Sequence, residues 1–325
     1  MVITGASGFT GRHACGHFLS LGLEVTAWVR SAEAAQELGR LFPRIRIFRV
    51  DMTDAAGVSE ALAAAKPDYA LHLAGLNDVR GSWLDPARFM AANVMSTVHL
   101  IDGARREAPD CRILAVGSAL VPPLDDGGFR PPHPYSLSKG LQALCAVHLG
   151  RLYGLWTSVA QPSNLIGPGF SGGLCGLLAQ HIVRMETLGG RKPFRLSSLH
   201  ETRDFLDVRD AVRAYGSILL RGESGRTYFV GTGRERTLGE IIRLFEEELG
   251  RSIPLEVEDR PAPPAPKGPD ISPLLRLGWS PAVGIEMSIR DILAFYRAHD
   301  RAAQSGKVEE TCQHPTGKTS PAASD

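Results

Sequence analysis

"MVITGASGFTGRH", residues 1–13, decides the fold. Val2, Ile3 and Thr4 make a short run of strand-forming residues that stops at Gly5. Gly5, Gly8 and Gly11 then recur at GxxGxxG spacing ahead of a helical stretch over 11–20. Without side chains they permit a tight turn, close approach of a pyrophosphate to the backbone, and close packing of helix on strand. A phosphate there meets the positive end of the helix. The spacing differs from the GxGxxG of classical dehydrogenases, and an ordinary strand-to-helix turn is the alternative reading. Position favours a dinucleotide site, because the turn follows the first strand. Its expected contacts are Gly5, Ser7, Gly8, Phe9, Thr10, Gly11 and Arg12.

Behind the turn, strand-like runs recur at 23–29, 44–50, 69–75, 112–118 and 157–163, and helical stretches lie between them. Strands alternating with helices predict an α/β fold: a right-handed, doubly wound parallel sheet of Rossmann type, covered on both faces. After residue 163 the rhythm breaks, which predicts a smaller mixed α/β lobe. The expected division is 1–163 plus about 203–222 for the sheet domain, and 164–202 with 223–301 for the lobe. Residues 302–325 are polar and aperiodic, and composition predicts a disordered tail.

With 325 residues the chain exceeds the roughly 250–300 at which single cores stop growing. A net charge of +1 gives no basic footprint for nucleic acid or anionic lipid. Five scattered cysteines without CxxC or tight Cys/His spacing predict reduced thiols and no metal site. With no run of ~20 apolar residues, the reading is a cytoplasmic protein that does not enter a membrane.

An NAD site usually ends its second strand on a carboxylate that holds the ribose 2′-OH. Here that strand ends "AWVRS", with Val29 and then Arg30. Arg12 and Arg30 suit a 2′-phosphate, so NADP(H) is the preferred cofactor and NAD(H) the other possibility. Asp51, in "RVDMTD", is placed to contact the adenine or to cap the next helix.

"HPYSLSKGLQAL", residues 133–144, sets Tyr135 and Lys139 four apart, hence on one helical face. A phenol titrates near ~10; a neighbouring ammonium is expected to lower it and make tyrosine a usable general acid or base. Ser118 ends the fifth strand, where an open α/β sheet places its ligand crevice. These three residues are the candidate catalytic set; a solvated helix start and a turn cap are the alternatives.

The chain resembles the extended short-chain dehydrogenase/reductases, the nucleotide-sugar epimerase/dehydratase/reductase group, from Met1 to about residue 300. The resemblance rests on TGASGFTG, DMTD, LHLAG, AANVMSTVHLI, VGS, YSLSK, PSNLIGPG and RDFLDVRDAVRAY. Within the group, QPSNLIGPGF, RDFLDVRDAVRAY and YFVGTGRERTLGEII look most like GDP-4-keto-6-deoxy-D-mannose reductases. The resemblance implies that Ser118, Tyr135 and Lys139 transfer the proton. It implies that Asp51, Met52, Leu73, Ala74, Gly75, Asn93, Tyr135 and Lys139 line the cofactor. It assigns Asn164, Arg203 and Arg260 to a nucleoside-diphosphate sugar, although Arg203 can equally pair with Asp204 or Glu201 on the surface. A homodimer through helices at roughly 85–106 and 135–152 is implied too, a four-helix interface.

Three departures narrow the expectation. "SALVPP" lacks the tyrosine-glycine and acidic residues that dehydratases use after strand five, which disfavours a 4,6-dehydratase. The segment from Ser118 to Tyr135 is short. "DRPAPPAPKGPD" lacks the acid that usually follows the arginine-proline pair. The expectation is reduction of a 4-keto nucleotide sugar, with a 4-epimerase as the alternative and a non-catalytic NADP-binding protein as the third.

Overall fold

The computed structural model describes residues 1–122, 128–190, 192–258 and 270–312, the last eleven as backbone only. Its strands are β1 (Val2–Thr4), β2 (Thr26–Val29), β3 (Arg46–Arg49), β4 (Tyr69–His72), β5 (Arg112–Val116), β6 (Thr157–Pro162), β7 (Asn164–Ile166), β8 (Phe194–Leu196), β9 (Thr202–Asp207), β10 (Thr227–Val230), β11 (Glu235–Thr237) and β12 (Leu255–Val257). Its helices are α1 (Phe9–Ser20), α2 (Ala32–Leu41), α3 (Ala55–Ala65), α4 (Val79–Leu84), α5 (Pro86–Phe89), α6 (Ser96–Glu107), α7 (Pro134–Tyr153), α8 (Leu174–Leu188), α9 (Val208–Arg221), α10 (Leu238–Leu249), α11 (Ser272–Leu275) and α12 (Ile285–Cys312); a π-helical turn, Met90–Met95, joins α5 to α6.

The described residues form a seven-stranded sheet in the order β10-β6-β5-β4-β1-β2-β3, parallel at every pairing. Its register sets Ile3 beside Ala27 on one side and Leu71 on the other. Successive side chains alternate between faces. Ile3 thus packs with Ala14, Cys15 and Phe18 of α1 and Ala211 to Leu219 of α9. Its neighbour Val2 packs with Val58 and Leu62 of α3 and Leu100 and Ile101 of α6. Helices on both faces bury the strands completely, which is why β1 and β2 read as continuous rather than alternating apolar runs. Edge strand β3 exposes Arg46 and Arg49.

The second lobe has its own core, in which Leu178 and Ile182 of α8, Ile241 and Phe245 of α10, and Ile289 and Leu293 of α12 meet Ile166, Leu196 and Phe205. Small sheets β11-β9-β7 and β12-β8 frame it. Buried aspartates at the head of α9, the helix that packs on the large sheet, tie it to the lobe. Asp210 accepts from the backbone N–H groups of Ala282 (2.8 Å) and Val283 (2.9 Å), and Asp207 from the Ser288 hydroxyl (2.6 Å). Each buried carboxylate is therefore hydrogen-bonded, as its desolvation demands.

Three expectations need correcting. Thr227–Val230, assigned to the lobe, adds the seventh strand against β6. Thr202–Asp207, assigned to the sheet domain, belongs to the small sheet between β7 and β11, and only α9 behind it returns to the large sheet. Of the tail expected to be disordered from 302, the backbone of residues 302–312 belongs to α12, and residues 313–325 lie outside the described residues. Ala302, Ala303, Gln304, Lys307, Glu309 and Glu310 are strong helix formers, so the helix continues without apolar periodicity. Among the described residues, no helix is long and apolar enough to cross a membrane.

Candidate active site

The glycine turn is built as its spacing requires. Gly5 holds φ 64°, and a Cβ there would lie 2.8 Å from the Ala74 nitrogen. At Gly11 a Cβ would meet the Gly5 carbonyl oxygen at 2.3 Å and Ala6 at 2.7 Å. Gly8 is the N-cap of α1 and supplies no side-chain cap, so the helix's first N–H groups stay available to an anion. This cradle, which any Cβ would fill, fits a dinucleotide pyrophosphate. Ser7, Phe9 and Thr10 complete the turn.

Around the adenosine end the structure differs from the expectation in part. Arg12 is held by Glu37 in a bidentate pair, at 2.8 and 2.7 Å, and donates to the Ser7 carbonyl. Glu37 already offers the fork the two oxygens a phosphate would use. Arg30 is exposed at the end of β2, and its charge adds a little to the hydrogen bonds from Thr53 that lower the Asp51 carboxyl. Asp51 does not cap α3. It accepts from the backbone and side chain of Thr53, at 2.9 and 2.7 Å, and Asp54 is the cap. The Met52 carbonyl is engaged with His99 Nδ1.

At the end of β4 a buried network fixes the backbone from Leu73 to Gly75. The Thr4 hydroxyl accepts from the Ala74 N–H (3.1 Å) and meets His72 Nδ1 (2.8 Å); His72 Nε2 meets the Thr97 hydroxyl (2.9 Å). Burial, with the nearby Lys139 charge, pulls His72 down to about 3, so the ring is neutral. Asn93 lies in the π-helical turn, whose extra residue re-aims the helix face. Wholly buried, Asn93 accepts from the Leu76 N–H (2.8 Å) and donates to the Leu76 carbonyl (3.1 Å) and the Ser138 hydroxyl (2.9 Å). A Cβ on Gly75 would stand 2.6 Å from Asn93 Oδ1 and 3.7 Å from Lys139 Nζ. Asn93, Gly75 and Lys139 thus share one wall.

Helix α7 begins where its sequence dictates. His133 caps it by accepting from the Ser136 N–H (2.9 Å), and Pro134 occupies the first turn, where its missing N–H costs nothing. Tyr135 follows, 5% exposed, its ring edge-on to Phe89 at 6.4 Å and beside His133. Burial raises the phenol, and a hydrogen bond with Ser118 opposes that rise. Ser118 and Tyr135, seventeen residues apart, therefore come near each other at the end of β5.

Lys139 is anchored from both sides: its Nζ donates to the Val116 carbonyl (2.8 Å) and to Gln142 Oε1 (2.6 Å). Burial pulls the ammonium itself down to about 7. At neutral pH Tyr135 keeps its proton, the state of a general acid. Gln142, Ser138 and His72 belong to the buried network around Lys139 and Asn93 and were not singled out from the sequence. The available signal was polar Ser138 and Gln142 flanking Lys139 where α7 meets the core.

Asn164 and Arg203 stand together in the small sheet, β7 beside β9. Asn164 donates to the Asp204 carbonyl (3.0 Å), and Arg203 pairs with Glu201 (2.9 and 2.5 Å). The Arg203 charge reaches Cys175, in the first turn of α8, whose Gly173 cap supplies no side-chain bond. Arg260 lies outside the described residues. Burial pushes the Cys15, Cys111 and Cys175 thiols up to about 12, which leaves them poor nucleophiles.

Comparison with known proteins places this arrangement. The family model described as "NAD dependent epimerase/dehydratase family" matches residues 1–231. The chain is 28% identical over 318 residues to GDP-6-deoxy-D-mannose reductase of Pseudomonas aeruginosa, covering 93% of this chain and 98% of that one. It is 30% identical over 320 residues to dTDP-glucose 4,6-dehydratase of Streptomyces griseus, covering 92% and 94%. Among solved structures, RMD from Pseudomonas aeruginosa complexed with NADPH superposes with a TM-score of 0.77 at 25% identity, over 92% of this chain and 99% of that one. UDP-glucose 4-epimerase from Thermus thermophilus complexed with NAD gives 0.77 at 25%, over 91% and 98%. The chain belongs to the NAD dependent epimerase/dehydratase family, the extended short-chain dehydrogenase/reductases that its motifs resemble.

Proposed function

We propose that this protein reduces the 4-keto group of a nucleoside-diphosphate sugar with NADPH, Tyr135 giving the proton. The observation that carries the reading is Tyr135, 5% exposed at the start of α7, with the Ser118 hydroxyl at the end of β5 close enough to act on its phenol. Similarity to the Pseudomonas aeruginosa reductase over 93% of the chain supports it.

A reduced nicotinamide, when bound, supplies the hydride. The turn from Gly5 to Gly11 and the open end of α1 would hold the pyrophosphate, and Arg30 the 2′-phosphate. Asp51 and Met52 would face the adenine. Leu73, Ala74, Gly75, Asn93, Tyr135 and Lys139 would line the nicotinamide end. As the carbonyl carbon gains its hydride, its oxygen takes the Tyr135 proton, and the Ser118 hydroxyl donates a hydrogen bond to that oxygen. The product is the secondary alcohol. On the sugar side, Asn164, Arg203 and the uncapped start of α8 would hold the diphosphate.

A 4-epimerase would first remove a proton from a sugar hydroxyl, which needs the phenolate; burial opposes that form here. The test is to mix the full chain with NADPH and GDP-4-keto-6-deoxy-D-mannose. One NADPH oxidised per sugar reduced supports the reading. Interconversion of UDP-glucose and UDP-galactose with no added reductant, and no NADPH oxidation with the keto sugar, overturns it.

The assembly we propose is a homodimer in which α6 and α7 meet their copies. Met95, beside α6, and Leu144 of α7 expose apolar surface on that side, 43% and 37% respectively.

A further inference from the structure

We infer that Gln142 is the positioning residue of the lysine: its carboxamide oxygen holds the Lys139 ammonium at the wall of the crevice and keeps it charged without neutralising it. The inference rests on the proton-transfer reading above and deepens it. Gln142 and Lys139 are three apart on α7, both buried, with Oε1 2.6 Å from Nζ. An ammonium has three N–H donors. The Val116 carbonyl takes one and Gln142 a second, which leaves one for a ligand beside Gly75.

The other end of the amide argues for this role. Gln142 Nε2 is buried and has no hydrogen-bond partner among the described residues. Turning the amide over would set Nε2 against the ammonium, donor against donor, so the lysine alone fixes how the side chain faces. Methionine or leucine would fill the same space with no unsatisfied donor. A glutamine kept there at that cost is explained by the charge it holds.

Its neutrality matters as much as its oxygen. A carboxylate at the same place would bind the ammonium more tightly and cancel its field at the tyrosine and the cofactor ribose. The groups the structure sets around Nζ besides Gln142 are the His72 ring from β4, neutral, the Val116 carbonyl from β5 and, across Gly75, the Asn93 amide from the π-helical turn. Burial pulls the Lys139 ammonium down towards neutral pH, so a hydrogen bond that favours the charged form, as the Gln142 oxygen makes, bears on its charge.

The test uses the full chain with 13C-labelled lysine, titrated by NMR, with Lys139→Met to assign the signal. In Gln142→Met the Lys139 midpoint is expected to fall by at least about one pH unit, and in Gln142→Glu to rise by a similar amount. The alkaline limb of NADPH-dependent turnover of GDP-4-keto-6-deoxy-D-mannose is expected to move the same way in each. Thermal denaturation checks that both variants fold; if the methionine variant does not, the glutamate variant alone decides by the direction of its shift. An unmoved midpoint in a folded variant overturns the inference, whatever the change in stability. Tyr135→Phe, run in parallel, separates the two claims. Lost turnover there with an unmoved Lys139 midpoint removes only the Gln142 role, whereas retained turnover with a moved midpoint upholds Gln142 as the holder of the lysine and overturns only the tyrosine assignment.

Discussion

Lys139 Nζ donates to the carbonyl of Val116 at 2.8 Å, which fastens α7 to the end of β5 and brings an ammonium into the core. Such a charge costs stability that the fold must supply elsewhere. The sign follows from the two states. In the unfolded chain the lysine stays charged up to ~10.4, and in the folded one burial lowers it to about 7. Between these values the unfolded state binds the extra proton, so the cost is complete below pH 7 and lifts as pH rises. The melting temperature of the wild type is expected to climb relative to Lys139→Met between pH 7 and 10, by the equivalent of a few kcal/mol. Parallel pH curves would contradict the burial of a charge.

His72 titrates in the opposite window. Its ring is buried neutral, at about 3 in the folded state, against ~6.5 unfolded. Its contribution is present in full above pH 6.5 and is lost as pH falls towards 3. Urea denaturation at pH 7 and pH 5 should show the wild type losing about 2 kcal/mol more than His72→Asn. An equal loss in both would mean that the ring is hydrated.

Arg30 is expected to set the choice of cofactor, since Arg12 is engaged by Glu37. Arg30→Asp should weaken NADPH binding about tenfold to a hundredfold and leave NADH nearly unchanged, the measure of one charged hydrogen-bond pair. Fluorescence titration with both cofactors reads this directly. Equal weakening of both would place Arg30 away from the 2′-phosphate.

Met95 and Leu144 report on assembly. Changing both to glutamate, one in the π-helical turn that leads into α6 and one on α7, should convert a dimer into a monomer by light scattering, because like charges would face each other across the two-fold axis. A wild-type chain that is already monomeric would refute the proposed interface.

What was legible in the sequence was what short spacing determines. Gly5, Gly8 and Gly11 lie within one turn, and Tyr135 and Lys139 within one helical turn, so local geometry alone placed them. Ser118 was found because a strand's C-terminal end is a fixed address in this architecture. Long-range pairing was harder to read. Thr227–Val230 is four residues long, and nothing local distinguishes the edge of a parallel sheet from a strand of the lobe. The stretch 85–106 read as one amphipathic helix, whereas the π-helical turn over Met90–Met95 turns Asn93 inward. Tyr135 and Lys139 were read as sharing a face; that the Val116 carbonyl and Gln142 would take two of the three ammonium donors was not legible from that spacing. Arg12 likewise found Glu37, twenty-five residues away, on the neighbouring helix.

The most direct measurement is the turnover of Tyr135→Phe with NADPH and GDP-4-keto-6-deoxy-D-mannose, alongside its NADPH affinity. Loss of the Tyr135 hydroxyl should lower kcat by about a hundredfold to ten-thousandfold, while NADPH binds within about twofold of the wild type. Turnover within a few fold of the wild type would mean that the proton comes from another group.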